Sequence, residues 1–481
     1  MERRTASDND IQTVQPKPHR TEPEKSYFES EFASPGDRRA AGKALRDKVP
    51  RESHAEWKAG RDRDDPIDIL TASNEGRLPD LVPIRHGRML TSPFAFLRGS
   101  AAVMASDLAR TPTTGIRVQA CGDCHLMNFG VFATPERRLN FDLNDFDETL
   151  PAPWEWDLKR LAASIVVAGR YIDLKERDSQ AATEAAVRAY RRRMARYAEM
   201  RAFDVWYDHV DLEQAIAQFS RARQKIMRAR IEKARARGVV EHDFPKLTEQ
   251  DSGRPRIKNN LPLIFHTKGD RTKELHEVVL QSLRMYRDTL ADNSRVLFDR
   301  FRFYDFAVKV VGVGSVGTMC LVALFMAADN DPLFLQVKQA NASVLEPYAG
   351  KSAYSNHGQR VVMGQRLMQA ASDMMLGWTV GQPVGRHFYL RQLRDVKMSV
   401  VIETFDSETL KAYGKLCGWA LARAHARSGD PAMISGYLGN SDIFDQAVVK
   451  FAAAYANQTE SDHTKMRKAA RDGRLEVASI E

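Results

Sequence analysis

The sequence predicts a mostly helical α+β protein with two lobes, the smaller an antiparallel β-lobe placed late in the chain. Three observations carry this expectation. The 481 residues exceed what one compact core covers, and 43% of them are hydrophobic, enough for sizeable cores. Long stretches between residues 46 and 300 repeat apolar positions at helical spacing. Near residue 301 the composition changes: "FYDFAVKVVGVGSVGTMCLVALFMAADNDPLFLQVKQA" is rich in Val, Phe and Leu, with a Gly-rich centre and a turn at Asn330, Asp331 and Pro332.

Residues 1–45 are polar, with Pro16, Pro18, Pro23 and Pro35, and are expected to form a disordered tail. Residues 46–300 form the helical region. "SPFAFLRGSAAVMASDLAR" reads as one helix, capped by Ser92 with Pro93 in its first turn. "GIRVQACGD" and "RRLNFDLNDFDET" read as strands ending in loops at 121–130 and 141–149, and "WEWDLKRLAASIVVAGRYI" returns to helix. Two basic helices are expected from Ser179 to about Phe203 and from Leu212 to Arg237, where Gly238 is a fitting stop. The second lies in a basic insertion at 205–260, of which "EQDSGRPRIKNNLPLIFH" is loop. "RTKELHEVVLQSLRMYRDTL" is helix again.

In the β-rich region, 301–405, three antiparallel strands are expected: one ending near Gly312, one from Thr318 to Met326 and one from Leu333 to Lys338. The helix "HGQRVVMGQRLMQAASDMML" follows, then strands "HFYLRQL" and "MSVVIETF". Residues 406–481 return to helix, beginning with "DSETLKAYGKLCGWALARAHARSG".

The net charge of +9 favours polyanionic partners such as nucleotides, although over 481 residues such a charge is usually just a solvated surface. The basic run at 219–237 is a solvated helix face or a docking surface for an acidic partner. The first 30 residues hold no apolar signal region, and no run approaches the ~20 apolar residues of a membrane span. Four cysteines do not make a disulfide framework in a chain this long. The expected compartment is the cytoplasm, with no membrane partner.

"ACGDCHLMNFG" presents two chemistries. Cys121, Cys124 and His125 spell the attachment string of a c-type haem, but nothing here exports the chain. Cys320 and Cys417 are too isolated to complete a zinc site. The same stretch places Asn128 five residues after Asp123. A positioned carboxylate can accept the proton of an attacking hydroxyl, and a nearby amide oxygen can join a magnesium shell. "FDLNDFDET" gathers Asp142, Asp145 and Asp147, hard oxygens suited to Mg²⁺ bridging phosphates. In "GVGSVG", Gly312, Gly314 and Gly317 let backbone amides approach phosphate oxygens, and Lys338 supplies a positive charge from a later strand.

"GDCHLMN" resembles the catalytic loop of the aminoglycoside-phosphotransferase and choline-kinase type of kinase. "NDFDE" is similar to its metal-binding element, and "WDLKRLAAS", with Asp157, to the segment after it. "GVGSVG" with Lys338 resembles the kinase Gly-rich loop and strand-three lysine, and "GWALARAHA", around His425, the helix before the catalytic loop. Ordinary kinases carry the Gly-rich loop first. Cutting that circle just before the catalytic loop reproduces the order seen here, so the resemblance implies a circularly permuted kinase-like fold. It also implies that the His425 segment lies beside the Asp123 loop. From about residue 37 the chain further resembles an uncharacterised bacterial family, domain of unknown function 2252, through "RHGRMLTSPFAFLRG", "GDCHLMNFG", "FDLNDFDET", "SVLEPY", "GQRVVMGQRLMQAASD" and "ARAHARSGD".

The resemblance implies an ATP- and Mg²⁺-dependent phosphotransferase acting on an unknown hydroxyl. Asp123 is its base. Gly312, Gly314, Gly317 and Lys338 hold the nucleotide, and Asn128, Asp145 and Asp147 hold magnesium. His125, Asp157 and His425 order the loop. Cys121 stands where kinases have His. The helical acid that should pair with Lys338 is open: Glu346 is the nearest acid, and Gln359 and Arg360 follow. Arg98 reads as a phosphate contact or an exposed helix residue, and Trp154 and Trp156 as core or rim. A nucleotide-binding pseudokinase and an AMP-transferring enzyme are close variants. An NAD-binding oxidoreductase requires a helix after "GVGSVG" and an acid ~20 residues on, where Lys338 stands instead. A nucleic-acid-binding protein has only the basic run in its favour.

Overall fold

The computed structural model describes residues 33–235, 244–251, 253–261, 263–266, 271–310, 312–328, 331–381, 385–393 and 400–478. The chain is α+β and about 53% helical, with small antiparallel sheets. Gly238, most of the N-terminal tail, Asn330 of the expected turn and part of "MSVV" lie outside the described residues.

The chain opens with α1 (Pro35–Ala44), inside the stretch expected to be disordered. Ser34 caps it, Pro35 fits its first turn, and Gly42 packs so closely on a later helix that a Cβ would come within 2.0 Å of the Met433 carbonyl. A helical layer follows, α2 (Pro66–Ala72), α3 (Val82–Leu90), α4 (Pro93–Gly99) and α5 (Ala101–Leu108). The expected single helix over α4 and α5 breaks at Ser100, which leaves helical geometry at φ −114°, ψ 39°.

Next come β1 (Arg117–Ala120), β2 (Phe129–Ala133), β3 (Leu139–Leu143) and β4 (Leu150–Pro153). β1 pairs with β4, and β2 with β3. Long helices α6 (Trp154–Tyr171) and α7 (Glu176–Tyr197) follow, then α8 (Ala202–Tyr207), β5 (Val210–Asp211), α9 (Leu212–Ile216) and α10 (Arg221–Arg235). The predicted helix from Leu212 is thus broken between α9 and α10, where buried Phe219 turns inward. α11 (Phe244–Leu247) leads to β6 (Thr248–Asp251), β7 (Arg254–Ile257) and β8 (Ile264–Phe265), in the stretch expected to be loop. Gly253, at φ +78°, turns the β6–β7 hairpin, and Ile257 packs with Ile264 of β8 and the apolar face of the larger sheet in one buried cluster.

α12 (Arg271–Asp288) and α13 (Asp292–Phe298) precede β9 (Arg302–Lys309), β10 (Cys320–Met326) and β11 (Pro332–Ala340), close to the three strands expected. α14 (Glu346–Ala349), α15 (His357–Met368), β12 (Gly377–Gly381) and β13 (Arg386–Gln392) complete a six-stranded antiparallel sheet of order β12-β13-β11-β10-β9-β8. "MSVVIETF" does not supply a strand in its described part. Ile402–Thr404 form one 3₁₀ turn, closed by the Thr404 hydroxyl donating to the Val401 carbonyl at 2.8 Å. The helices α16 (Ser407–Ser428), α17 (Pro431–Leu438) and α18 (Ile443–Arg471) end the chain.

The main core joins α6, α7 and α16 to β2 and β3, and Trp154 stacks on Tyr190 within it. Trp156 is also buried, in an adjoining core. A separate core lies between α12 and the six-stranded sheet. The cleft that holds the predicted site is lined by the α2–α5 helical layer, the loops after β1 and β3, and the turn before β10.

Candidate active site

β1 delivers the chain into a tight turn at Cys121–Gly122. Gly122 has φ +82°, and a Cβ there would sit 2.3 Å from the Glu148 carbonyl oxygen, so only glycine fits. Asp157, in the first turn of α6, receives both turn amides: Cys121 N at 2.6 Å and Gly122 N at 2.9 Å. His425 Nε2 lies 3.2 Å from Asp157 Oδ2, and Tyr190 OH lies 2.9 Å from His425 Nδ1. The His425 segment therefore does return to the Asp123 loop, across a buried Tyr–His–Asp chain.

Beyond the turn, Asp123 faces the cleft with 21% of its side chain exposed. Arg160 Nε donates to Asp123 Oδ1 at 2.6 Å, and Arg160 Nη2 donates to the Leu97 carbonyl at 2.9 Å. Burial pushes the Asp123 carboxyl up to about 7, against the pull of Arg160 and with Asp145 and Glu148 adding to the rise. His125 is an ordering residue: its Nδ1 accepts from Met127 N at 3.2 Å, and burial holds its pKa well below the usual imidazole range. Asn128 Nδ2 donates to the Asp123 carbonyl at 2.6 Å, which folds the loop back on itself.

The second loop brings Asp145 and Asp147 to the cleft. Asp142 does not join them. It is buried on β3, holds Arg423 Nη2 at 2.7 Å and accepts from Ala370 N at 2.9 Å, so its charge is spent on packing. Lys338, 3% exposed on β11, forms an ion pair with Asp147 and lies 3.8 Å from Asp145 Oδ2. Asp147 also accepts from Tyr389 OH at 2.8 Å and Ser315 Oγ at 3.2 Å. The two carboxylates hold the Lys338 ammonium well above its ordinary pKa, although burial opposes them.

The open question of the Lys338 partner is thereby answered. Glu346 does not reach it: its Oε1 accepts from Ser343 N at 3.3 Å and lies 3.9 Å from His357 Nδ1. Arg360, on α15, instead ties down the acidic loop, donating to the carbonyls of Thr149 (2.6 Å), Asp147 (2.7 Å) and Asn341 (2.8 Å).

The Gly-rich turn joins β9 to β10, with Gly312 at φ +71° and Gly317 at φ +90°. A strand, not a helix, follows it, so the strand–turn–helix of a dinucleotide fold is not formed. The turn is docked on the helical layer. Arg77 Nη1 donates to the carbonyls of Gly314 (2.9 Å) and Val316 (2.6 Å), Arg88 Nη1 to Gly312 (2.5 Å) and Leu78 N to Gly317 (2.7 Å). Gly314 passes so close that a Cβ would lie 3.1 Å from the Arg98 carbonyl. Arg77, Arg85, Arg98, Asp123, Asp145, Asp147, Glu148, Gly314 and Ser315 thus line one cleft.

A scan against family models matches residues 77–469 to the uncharacterized proteins conserved in bacteria termed DUF2252. The chain belongs to the DUF2252 family. No curated protein and no solved structure matches it. The part of this DUF2252 chain that matches opens at Arg77 and takes in every site residue named above. Among the described residues, no helix is long and apolar enough to cross a membrane, and no cluster of three or more His, Cys, Asp or Glu could hold a metal. The four cysteines are buried free thiols, and Cys121 Sγ donates to the Asp145 carbonyl at 3.1 Å, so the haem and zinc readings find no support.

The sequence reading missed Arg160, Tyr389, Arg77 and Arg85. Arg160 had a signal: it stands three residues after Asp157 on α6, hence on the same helix face. Tyr389 had none, because it meets Lys338 only through the β11–β13 register.

Proposed function

We propose that this chain is an ATP- and Mg²⁺-dependent phosphotransferase of circularly permuted, kinase-like organisation. One observation carries the reading: segments far apart in sequence line one cleft with Asp123, the acid pair Asp145 and Asp147 and the Gly-rich turn, and buried Lys338 pairs with Asp147 there. The donor set suits the ion. Mg²⁺ is held by one or two carboxylates with phosphates and water, and Asp145 and Asp147 expose 34% and 24% of their side chains. Asp145, Asp147 and Asn128 would hold it, and the bound ion would neutralise phosphate charge.

Asp123 takes the proton of the acceptor hydroxyl. That oxygen bonds to the γ-phosphorus, the bond from γ-phosphorus to the β–γ bridging oxygen breaks, and ADP leaves with the electron pair. Arg160 orients Asp123 and keeps its anion accessible. Lys338 supplies positive charge to the nucleotide phosphates, and Gly312, Gly314 and Gly317 leave room for them beside the turn. Asp157, His425 and Arg360 position the two loops.

Calorimetric titration with ATP, with and without Mg²⁺ and with NADH as control, tests the reading. Mg²⁺-dependent ATP binding that is lost in Lys338→Ala is expected, followed by loss of transfer in Asp123→Asn and Asp145→Asn with the fold retained. NADH binding alone, or unchanged turnover in both aspartate variants, overturns it.

A further inference from the structure

The charges of the cleft do not balance evenly along its length. Asp123 is matched by Arg160, Asp145 and Asp147 face Lys338, and Glu148 accepts from Val344 N at 2.8 Å. Three arginines of the helical layer have no carboxylate in ion-pair contact among the described residues. Arg77 spends its nitrogens on the carbonyls of Ser73, Gly314 and Val316. Arg85, 2% exposed, donates to Asn74 Oδ1 and the Gly99 carbonyl, and its Nε is buried without a partner among the described residues. The Arg98 side chain makes no hydrogen bond or ion pair with any described residue. Its Nε too is buried, and its guanidinium rests 5.8 Å from the Phe94 ring.

A guanidinium withdrawn from water without an anion is costly, as for buried Arg85, and half-buried Arg98 bears part of the same cost at its Nε. Arg85 and Arg98 both line the cleft that Asp123 faces, whereas Lys338 is already engaged by Asp147. Asp123 and Glu403 both act as counter-charges on Arg98, and Glu403 is engaged by Tyr171 OH at 3.2 Å.

The geometry points to an acceptor subsite for an anion: Arg98, backed by Arg85, binds a carboxylate or phosphate group carried by the same small molecule whose hydroxyl Asp123 addresses. The substrate class is therefore an anionic hydroxyl compound, a hydroxy acid or a phosphorylated polyol, rather than a neutral sugar or amine. The role in transfer rests on the phosphotransferase reading. The anion site itself does not.

Three probes of one carbon skeleton separate the cases: glycerol, glycerate and glycerol 3-phosphate. Each is titrated calorimetrically into the full chain without nucleotide, and then offered as acceptor with MgATP. Glycerate or glycerol 3-phosphate is expected to bind and glycerol not, and which of the two binds assigns the carboxylate or the phosphate. Arg98→Ala weakens that binding about tenfold or more, and Arg98→Lys recovers part of it. The ATP dissociation constant stays unchanged in both variants. Binding of none of the three, equal binding of glycerol, or an Arg98→Ala that weakens ATP instead overturns the anion site. An anion that binds through Arg98 without any transfer upholds the site and overturns the phosphotransferase reading. Transfer to glycerol as efficient as to its anionic analogues does the reverse.

Discussion

Removing Arg160 should move the pH dependence of the reaction in a defined direction. Arg160 is 2% exposed and donates to Asp123 Oδ1 at 2.6 Å. Asp123 already sits at about 7 because burial outweighs this partner. A base must be deprotonated to act, so kcat/KM of the wild type rises with pH through about 7 and levels above it. A hydrogen bond to a charged group contributes about 1.5–3 kcal/mol. At about 1.4 kcal/mol per pKa step, its loss in Arg160→Met raises the Asp123 carboxyl by about one to two further steps. The rising limb then moves to about pH 8–9. The variant also leaves the Leu97 carbonyl without its donor and should lose about 3 kcal/mol of stability. The assay is MgATP turnover against pH for both proteins, with urea unfolding to confirm the folded fraction and a carboxyl-carbon NMR titration of Asp123 as the direct readout. A wild-type limb near pH 4, or a limb that does not move in a folded Arg160→Met, refutes the role of Asp123 as a base tuned by Arg160.

Other outcomes follow from single contacts. Lys338→Met, similar in length but uncharged, should abolish Mg-dependent ATP binding by calorimetry and cost about 1–3 kcal/mol in urea unfolding. The carboxylates it leaves keep partial access to water, which limits the penalty. Gly122→Ala should fail to fold or lose several kcal/mol, because a Cβ meets the Glu148 carbonyl at 2.3 Å and φ is +82°; thermal unfolding reads this directly. Arg423→Met should cost about 3–5 kcal/mol, since Asp142, 1% exposed, loses its only ion-pair partner among the described residues. Its loss should show in denaturant unfolding, and the acidic loop after β3 should loosen in hydrogen exchange.

Much of the site was legible in short stretches. The loop from Cys121 to Asn128, the acids Asp145 and Asp147, the Gly-rich turn and Lys338 each carry their chemistry within a few residues. The hydrogen bonds that shape them are local too: Asn128 to Asp123, or Asp147 N to Asp145 Oδ1 at 3.2 Å. The helix start at Ser34–Pro35 was equally local, but the polar composition around it masked the cap. Asp142 shows the limit. In sequence it is one of three similar acids, and only its place on β3, pointing at Arg423 of α16, separates a packing charge from a cleft charge.

The sequence by itself determined the family, the α+β class with its late antiparallel sheet, and the identity of the groups that can do chemistry. Glycine at a positive φ, a capping oxygen or a turn amide acts on its immediate neighbours, so its effect is written where it stands. The tertiary structure decided which charges are paired and which are not. Lys338 meets Asp147 and Tyr389, Asp123 meets Arg160, and Arg98 meets no carboxylate among the described residues. Those pairings arise when strands and helices from distant parts of the chain pack around one cleft. Burial there makes each unpaired charge costly, and that cost, which no local pattern encodes, separates the groups that hold the fold from those proposed to hold a ligand.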